Sequence, residues 1–192
     1  MRVIAGVAKG HRLQSVAGDQ TRPITDRVKE ALFSILGDFV VGTRVLDLFA
    51  GTGAVGIEAL SRGAAEAVFV DTSTAALRVL RANLEHTRLG EQAVVVRGDA
   101  FKHLSGPIAA PFDLIYVAPP QYQGWWADVL RALDERPAWL CKYPGGQSGI
   151  AVAQIHPREY QELPLRRLAE YERRKYGSTL LCFYEVPPDP RL

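Results

Sequence analysis

The 192 residues carry a formal net charge of only +2, with 47% apolar and 23% charged side chains. That balance supports one domain with a sizeable core, excludes whole-chain disorder and, with no run of 18 apolar residues, predicts no membrane span. Cys141 and Cys182 stand far apart, none of His11, His86, His103 and His156 has metal-ligand spacing, and no apolar signal region opens the chain, so free thiols, no metal and a cytoplasmic location are expected.

Residues 1–12 contain Arg2, Lys9 and Arg12 with no acid, and residues 2–5 and 11–15 can form a hairpin. Gly18 and the Arg22-Pro23 step mark a loop. Residues 1–24 are therefore expected as a basic extension ahead of a domain over 25–192. Thr25 or Asp26 can cap a helix with Val28, Leu32, Ile35 and Leu36 on one face, closed by Gly37.

Beyond residue 43, short apolar runs alternate with helix-length segments, which predicts βα units and a mostly parallel sheet. Residues 44–49 read as a strand, 53–62 as a helix closed by Gly63, and 67–70 as a second strand. Ser73 or Thr74 caps a helix to about residue 88. Residues 93–97 form a third strand, a short helix follows Asp99, and a fourth strand over 112–117 ends at Pro119-Pro120. A helix over 125–133, a strand near 150–153 and an antiparallel pair, 166–171 with 179–185 around Gly177, complete seven strands. The tail Pro187-Pro188-Asp189-Pro190 cannot extend a central strand.

The densest signal is Leu46-Asp47-Leu48-Phe49-Ala50-Gly51-Thr52-Gly53-Ala54-Val55-Gly56. A strand enters a glycine turn that opens a helix, in G-x-G-x-x-G spacing. Gly51 and Gly53 permit backbone angles that a Cβ resists and let a ligand approach the main chain; Gly56 allows tight helix–strand packing. Asp71, 20 residues after Gly51, can accept from ribose hydroxyls, which suits a nicotinamide dinucleotide and S-adenosylmethionine alike. Asp47 favours the second, because a carboxylate beside the turn repels a pyrophosphate and attracts an ammonium or sulfonium. Asp99, after the third strand, is placed to accept from an adenine amino group.

A second motif, Val117-Ala118-Pro119-Pro120-Gln121-Tyr122, follows the fourth strand. Amino-directed nucleic-acid methyltransferases carry Asn/Asp-Pro-Pro-Tyr/Phe here, holding an exocyclic amine and stacking on a flipped base. The chain resembles the bacterial family of small-subunit (16S) rRNA guanine-N2 methyltransferases. The matching stretches are Arg2-Val3-Ile4-Ala5-Gly6 with Lys9-Gly10; Thr21-Arg22-Pro23-Ile24-Thr25-Asp26-Arg27-Val28-Lys29-Glu30-Ala31-Leu32-Phe33; Leu46-Asp47-Leu48-Phe49-Ala50-Gly51-Thr52-Gly53; Glu58-Ala59-Leu60-Ser61-Arg62-Gly63-Ala64; and Tyr176-Gly177-Ser178-Thr179.

The resemblance implies an α/β, Rossmann-like S-adenosylmethionine-dependent methyltransferase fold, with a seven-stranded, mostly parallel sheet, an antiparallel final strand and a small N-terminal extension. S-adenosyl-L-methionine is the expected cofactor, held by Asp47, Phe49, Ala50, Gly51, Thr52, Gly53, Asp71, Thr72, Asp99 and Ala100. The segment over 21–33, with Arg22 and Thr25, packs beside it. Ala118, Pro119, Pro120 and Tyr122 would form the base pocket. Arg2, Lys9, Arg12, Arg22 and Arg27 would contact rRNA, free or within an assembling ribosomal subunit, and a monomer is expected. The basic run Arg166, Arg167, Arg173, Arg174 and Lys175 reads either as phosphate contact or as solvated surface.

Ala118 departs from the family pattern, since alanine has no side-chain acceptor for the amine. Its own carbonyl or that of Pro119 could hold the amine alone, with Tyr122 stacking one residue late. Otherwise the chain is a cofactor- and RNA-binding homologue with altered substrate or weak catalysis. A nicotinamide-dependent oxidoreductase is a third reading, disfavoured by the charge of Asp47. Of Trp125 and Trp126, at least one is expected in the core, and either could border the base.

Overall fold

The computed structural model describes residues 1–16, 24–144 and 146–188. The expected loop at Gly18 and Arg22-Pro23, and Asp189-Pro190 of the proline tail, lie outside these residues. The chain divides into two compact units, Met1–Asp99 and Ala100–Leu192. Among the described residues no helix is long and apolar enough to cross a membrane, and no acid, histidine and cysteine cluster could hold a metal.

The first unit opens with α1, Asp26–Leu36. Thr25 caps it, its Oγ1 accepting from Val28 N at 3.3 Å, and Val28, Leu32 and Leu36 are buried as the periodicity requires. Gly37 ends it at φ 52, leading into a short 3₁₀ turn, Gly37–Val40. Then follow β1 (Arg44–Leu48), α2 (Ala54–Ser61), β2 (Glu66–Asp71), α3 (Thr74–Thr87, capped by Ser73) and β3 (Ala93–Arg97). β2 pairs in parallel with both β1 and β3. β1 and β2 are nearly continuous buried runs, as a covered parallel sheet demands, whereas β3 is half-exposed.

Two expectations change here. The first strand stops at Leu48, because Phe49 takes φ 62 and leaves extended backbone. The N-terminal hairpin reduces to one antiparallel bridge, Arg2 with Arg12. Val3 N donates to His11 O, Leu13 N to Met1 O and Gly10 N to Val3 O, while the connecting residues pack onto α2. Val7 N donates to Ser61 O, Ser61 Oγ donates to Ala5 O and accepts from Ala8 N. A Cβ on Gly6 (φ 83) would stand 1.7 Å from Ser61 O, so only glycine permits this approach.

The second unit contains α4 (Ala100–Ser105), β4 (Leu114–Val117), α5 (Trp125–Glu135), β5 (Ile150–Ile155), β6 (Ala169–Tyr176) and β7 (Thr179–Glu185). β4 and β5 are parallel, and β7 runs antiparallel to both β5 and β6. The strand order is β3-β2-β1-β4-β5-β7-β6, the seven-stranded, mostly parallel sheet that was expected.

Two boundaries also shift in this unit. β4 starts at Leu114, since Phe112 makes only an isolated bridge with Leu140. β6 spans Ala169–Tyr176 rather than 166–171. The Asp134 carboxylate accepts from the backbone N–H of Arg166, Arg167 and Leu168 at 2.7–3.1 Å, which removes those donors from any ladder. Burial alone would raise the Asp134 carboxyl, but these three N–H groups and the Arg167 charge hold it below its usual range.

Candidate functional site

The glycine turn sits between β1 and α2 with each glycine doing a different job. Gly51 has φ 54, and nothing lies within 4 Å of where its Cβ would be, so its open side is free for a ligand. Gly53 has φ 82, and a Cβ there would stand 2.1 Å from Leu80 Cδ1. On Gly56 a Cβ would stand 2.3 Å from the Phe69 ring. The last two therefore let α2 close on α3 and β2. Phe49 enters the turn in a left-handed conformation, rare for a bulky side chain and a recurrent feature of ligand sites.

Asp71 anchors the turn. Its Oδ2 accepts from Gly51 N at 2.7 Å and its Oδ1 from Ser73 N at 2.8 Å. Each oxygen keeps a second lone pair for a ligand hydroxyl. Thr72, beside it, is exposed.

Asp47 is only 2% exposed and accepts from Gly56 N at 3.0 Å. Burial pushes its carboxyl up to about 8; the Gly56 N–H opposes this and the Asp71 charge adds to it. At neutral pH without a ligand the group is mostly protonated. The repulsion expected from a fixed Asp47 charge is thus conditional: an incoming cation draws the proton off, and an incoming anion keeps it on.

Two buried networks escaped the sequence reading. The Asn83 amide on α3 donates to Thr52 O at 3.0 Å and to Gln14 O at 3.1 Å, while its oxygen accepts from Gln14 N at 2.8 Å. It ties the glycine turn to the N-terminal segment. Glu58 on α2 faces Lys29 on α1 at 3.2 Å, with both side chains fully buried. The same carboxylate accepts from Ile4 N, Ala5 N and Arg62 Nε. A glutamate and a lysine at apolar helix positions were the available signal, because a buried charge needs a partner.

The remaining cofactor candidates are spread more widely. Asp99 is half-buried just after β3, Ala100 is the buried first residue of α4, and Thr25 is committed to capping α1; Arg22 lies outside the described residues. Lys9, Arg12 and Arg27 are exposed, as is Arg2, which lies 3.7 Å from Asp26. The basic run near β6 is largely engaged within its own unit. Arg167 donates to Glu135 O, Arg173 pairs with Glu170, and Arg174 pairs with Glu172.

In the second unit the Pro-Pro loop follows β4. Ala118 and Pro119 are half-buried and Pro120 is exposed. Tyr122 has φ 62 and is 63% exposed, its ring 5.6 Å from that of His156. Glu159, in the short turn Pro157–Glu159 after β5, holds the loop: its Oε2 accepts from Tyr122 N at 2.7 Å and its Oε1 from His156 N at 3.1 Å. This clamp was not foreseen, because 37 residues separate its ends. Of the adjacent pair, Trp126 lies in the core, stacked on Tyr160, and Trp125 stays partly exposed against Phe101.

A family model described as "Conserved hypothetical protein 95" matches residues 1–185. The chain belongs to this family. Similar to this Conserved hypothetical protein 95 member is "Putative rRNA methyltransferase YlbH" of Bacillus subtilis, 38% identical over 189 residues, covering 96% of this chain and 98% of that one. "Ribosomal RNA small subunit methyltransferase D" of Escherichia coli K12 is 36% identical over 140 residues, 73% of this chain and 69% of that one. Among solved structures, "Putative methyltransferase yhhF from Escherichia coli" superposes with a TM-score of 0.81 at 29% identity, covering 98% and 99% of the two chains. An RNA methyltransferase from Salinibacter ruber, in complex with S-adenosyl-L-homocysteine, shares the fold at a TM-score of 0.64 and 14% identity, over 88% and 95% of the two chains.

Proposed function

We propose that this chain is an S-adenosylmethionine-dependent methyltransferase that methylates the exocyclic N2 amine of a guanine in small-subunit rRNA. The observation that carries the reading is the glycine turn at Gly51, open on its Cβ side and pinned from behind by Asp71. The names of these relatives support the substrate class.

The residues present suit such a cofactor. Gly51 leaves the main chain accessible, Asp71 keeps acceptor capacity for ribose hydroxyls, and Asp47 can ionise against a cation. Asp99, half-buried after β3, is the candidate to accept from an adenine amino group. When bound, the cofactor supplies an electrophilic methyl group on a sulfonium sulfur. Arg2, Lys9, Arg12 and Arg27 are the candidates for phosphate contact. In the Pro-Pro loop the Ala118 or Pro119 carbonyl receives the amine N–H, and the exposed Tyr122 ring offers a stacking face. Positioning of the amine supplies much of the acceleration.

The test is transfer of tritiated methyl groups to naked 16S rRNA and to assembling subunits from a strain lacking the gene, with mass-spectrometric mapping of the product. Incorporation at a single guanine N2 is expected; incorporation into another base or none at all overturns the assignment. Ala118 favours a second reading, a cofactor- and RNA-binding homologue with weak catalysis. S-adenosylhomocysteine binding without methyl incorporation would select it.

A further inference from the structure

A groove of about 500 Å³ runs along the first unit between α3 and the half-exposed strand β3. Arg81 and Arg88 line it with Leu84, Glu85, Glu91 and Val95. Residues 78, 81, 85 and 88 recur at helical spacing, so Arg78 continues the same stripe of α3. Arg97 follows Val95 on the same face of β3. All four arginines are exposed. None is held in an ion pair with a described residue, although two glutamates border the groove. Elsewhere Arg44, Arg62, Arg131, Arg173 and Arg174 each pair with a carboxylate.

We propose that this groove is a second RNA surface, separate from the N-terminal basic segment, that takes the phosphodiester backbone without regard to sequence. The inference rests on the reading of the chain as an rRNA-binding enzyme. A guanidinium offers a planar fork that fits phosphate oxygens two at a time. From Arg78 to Arg88 the stripe spans about 15 Å at helical rise, a length that successive phosphates of one strand can follow. The floor is aliphatic, Leu84 with Val95, so it offers no platform for base stacking. A second copy of this chain is the poorer occupant, because pairing along β3 would bring like-charged rows together.

The experiment compares the full chain with Arg81→Gln/Arg88→Gln, using a short labelled RNA of mixed sequence across a salt series. Arg131→Gln, on α5, is the control. The double variant should bind several-fold more weakly at low salt, and its slope of log affinity against log salt should flatten by about 1.4, about 0.7 for each single-strand phosphate left without its arginine. Arg78→Gln should flatten the slope by about half as much, giving the same reading if the double variant melts early. S-adenosylhomocysteine affinity should stay constant throughout. An unchanged slope in both variants overturns the proposal. So does polyglutamate that displaces the RNA from the unaltered chain at equal charge, which would point to an acidic protein partner. Failure of the unaltered chain to bind S-adenosylhomocysteine or to methylate rRNA would instead sink the enzyme reading, and the salt slopes would still decide the groove.

Discussion

The Asp71 carboxylate reaches back across 20 residues to accept the Gly51 N–H at 2.7 Å, and its other oxygen takes the N–H of Ser73. One side chain thus fixes both the glycine turn and the start of α3. Asp71→Ala strands two donors and removes two acceptors from the pocket. Losing a hydrogen bond to a charged group costs about 1.5–3 kcal/mol, or roughly ten- to hundredfold in affinity. S-adenosylhomocysteine binding by calorimetry should weaken by that factor, with Asp71→Asn between the two. Equal binding by the alanine variant would remove Asp71 from the site.

Asp47 should make both stability and binding depend on pH. Its carboxyl titrates near 8 when folded and near 3.8 when unfolded. Between those values the folded chain keeps a proton that the unfolded chain has released. The contribution of this group is therefore full below 3.8, falls as pH rises towards 8 by at most about 1.4 kcal/mol per pH unit, and levels off above. Asp47→Asn keeps an acceptor for the Gly56 N–H and should abolish the slope in urea melts at pH 6, 7 and 8. In the unaltered chain a cationic cofactor should release this proton on binding. Calorimetry in buffers of different ionisation heat measures that release, and its absence would mean that Asp47 stays neutral beside the ligand.

The buried pair of Lys29 and Glu58 secures the N-terminal segment. Burial lowers the Lys29 ammonium, and Glu58 partly restores it. Removing one member of a buried pair typically costs about 3–5 kcal/mol. Lys29→Met should fall in that range. Glu58→Leu should cost more, because Ile4 N and Ala5 N lose their acceptor too. The double variant should cost less than the sum of the two. Denaturant midpoints give the ranking, and hydrogen exchange at residues 3–8 should accelerate most in Glu58→Leu.

How far the sequence carried the structure depended on the range of each interaction. Local periodicity placed the α-helices and most strand cores, and the G-x-G-x-x-G spacing marked the open turn between β1 and α2. The errors fell where a distant residue overrides local pattern. Asp134 captures the N–H groups of residues 166–168 and delays β6, and Ser61 holds residues 5–8, which leaves the N-terminal hairpin a single bridge. The ionisation of Asp47 was not legible for a related reason: burial raises its carboxyl, and spacing along a strand does not reveal burial.

Glu159 should act as a positioning residue for the Pro-Pro loop. Its two oxygens join Tyr122 N to His156 N, and glutamine can offer only one acceptor oxygen to the pair. Tyr122 takes φ 62 in this loop, a conformation that the clamp helps to hold. Glu159→Gln should lower methyl transfer about tenfold or more, since small misplacements of reacting groups are costly. S-adenosylhomocysteine affinity should not change. A loss in KM for RNA with kcat untouched would reassign Glu159 to simple RNA binding.

Ala118 gives the sharpest mutational test, because the predicted change is a gain. It follows Val117, the fully buried last residue of β4, and is itself half-buried at the head of the Pro-Pro loop. A backbone carbonyl there can accept one amine N–H, but the alanine side chain supplies no second acceptor. Ala118→Asp adds one. If the guanine amine is the nucleophile, the added hydrogen bond should strengthen its hold by about 1–3 kcal/mol and raise single-turnover methylation roughly 5- to 150-fold. Ala118→Asn should give a smaller gain, because its amide accepts without charge. Cofactor affinity should stay level, which separates this effect from any change in the glycine turn. A fall in rate with both variants would mean that the loop already fits its substrate closely around the alanine methyl. The amine would then be held by main-chain carbonyls alone, and a carboxylate in that space would displace the base instead of orienting it.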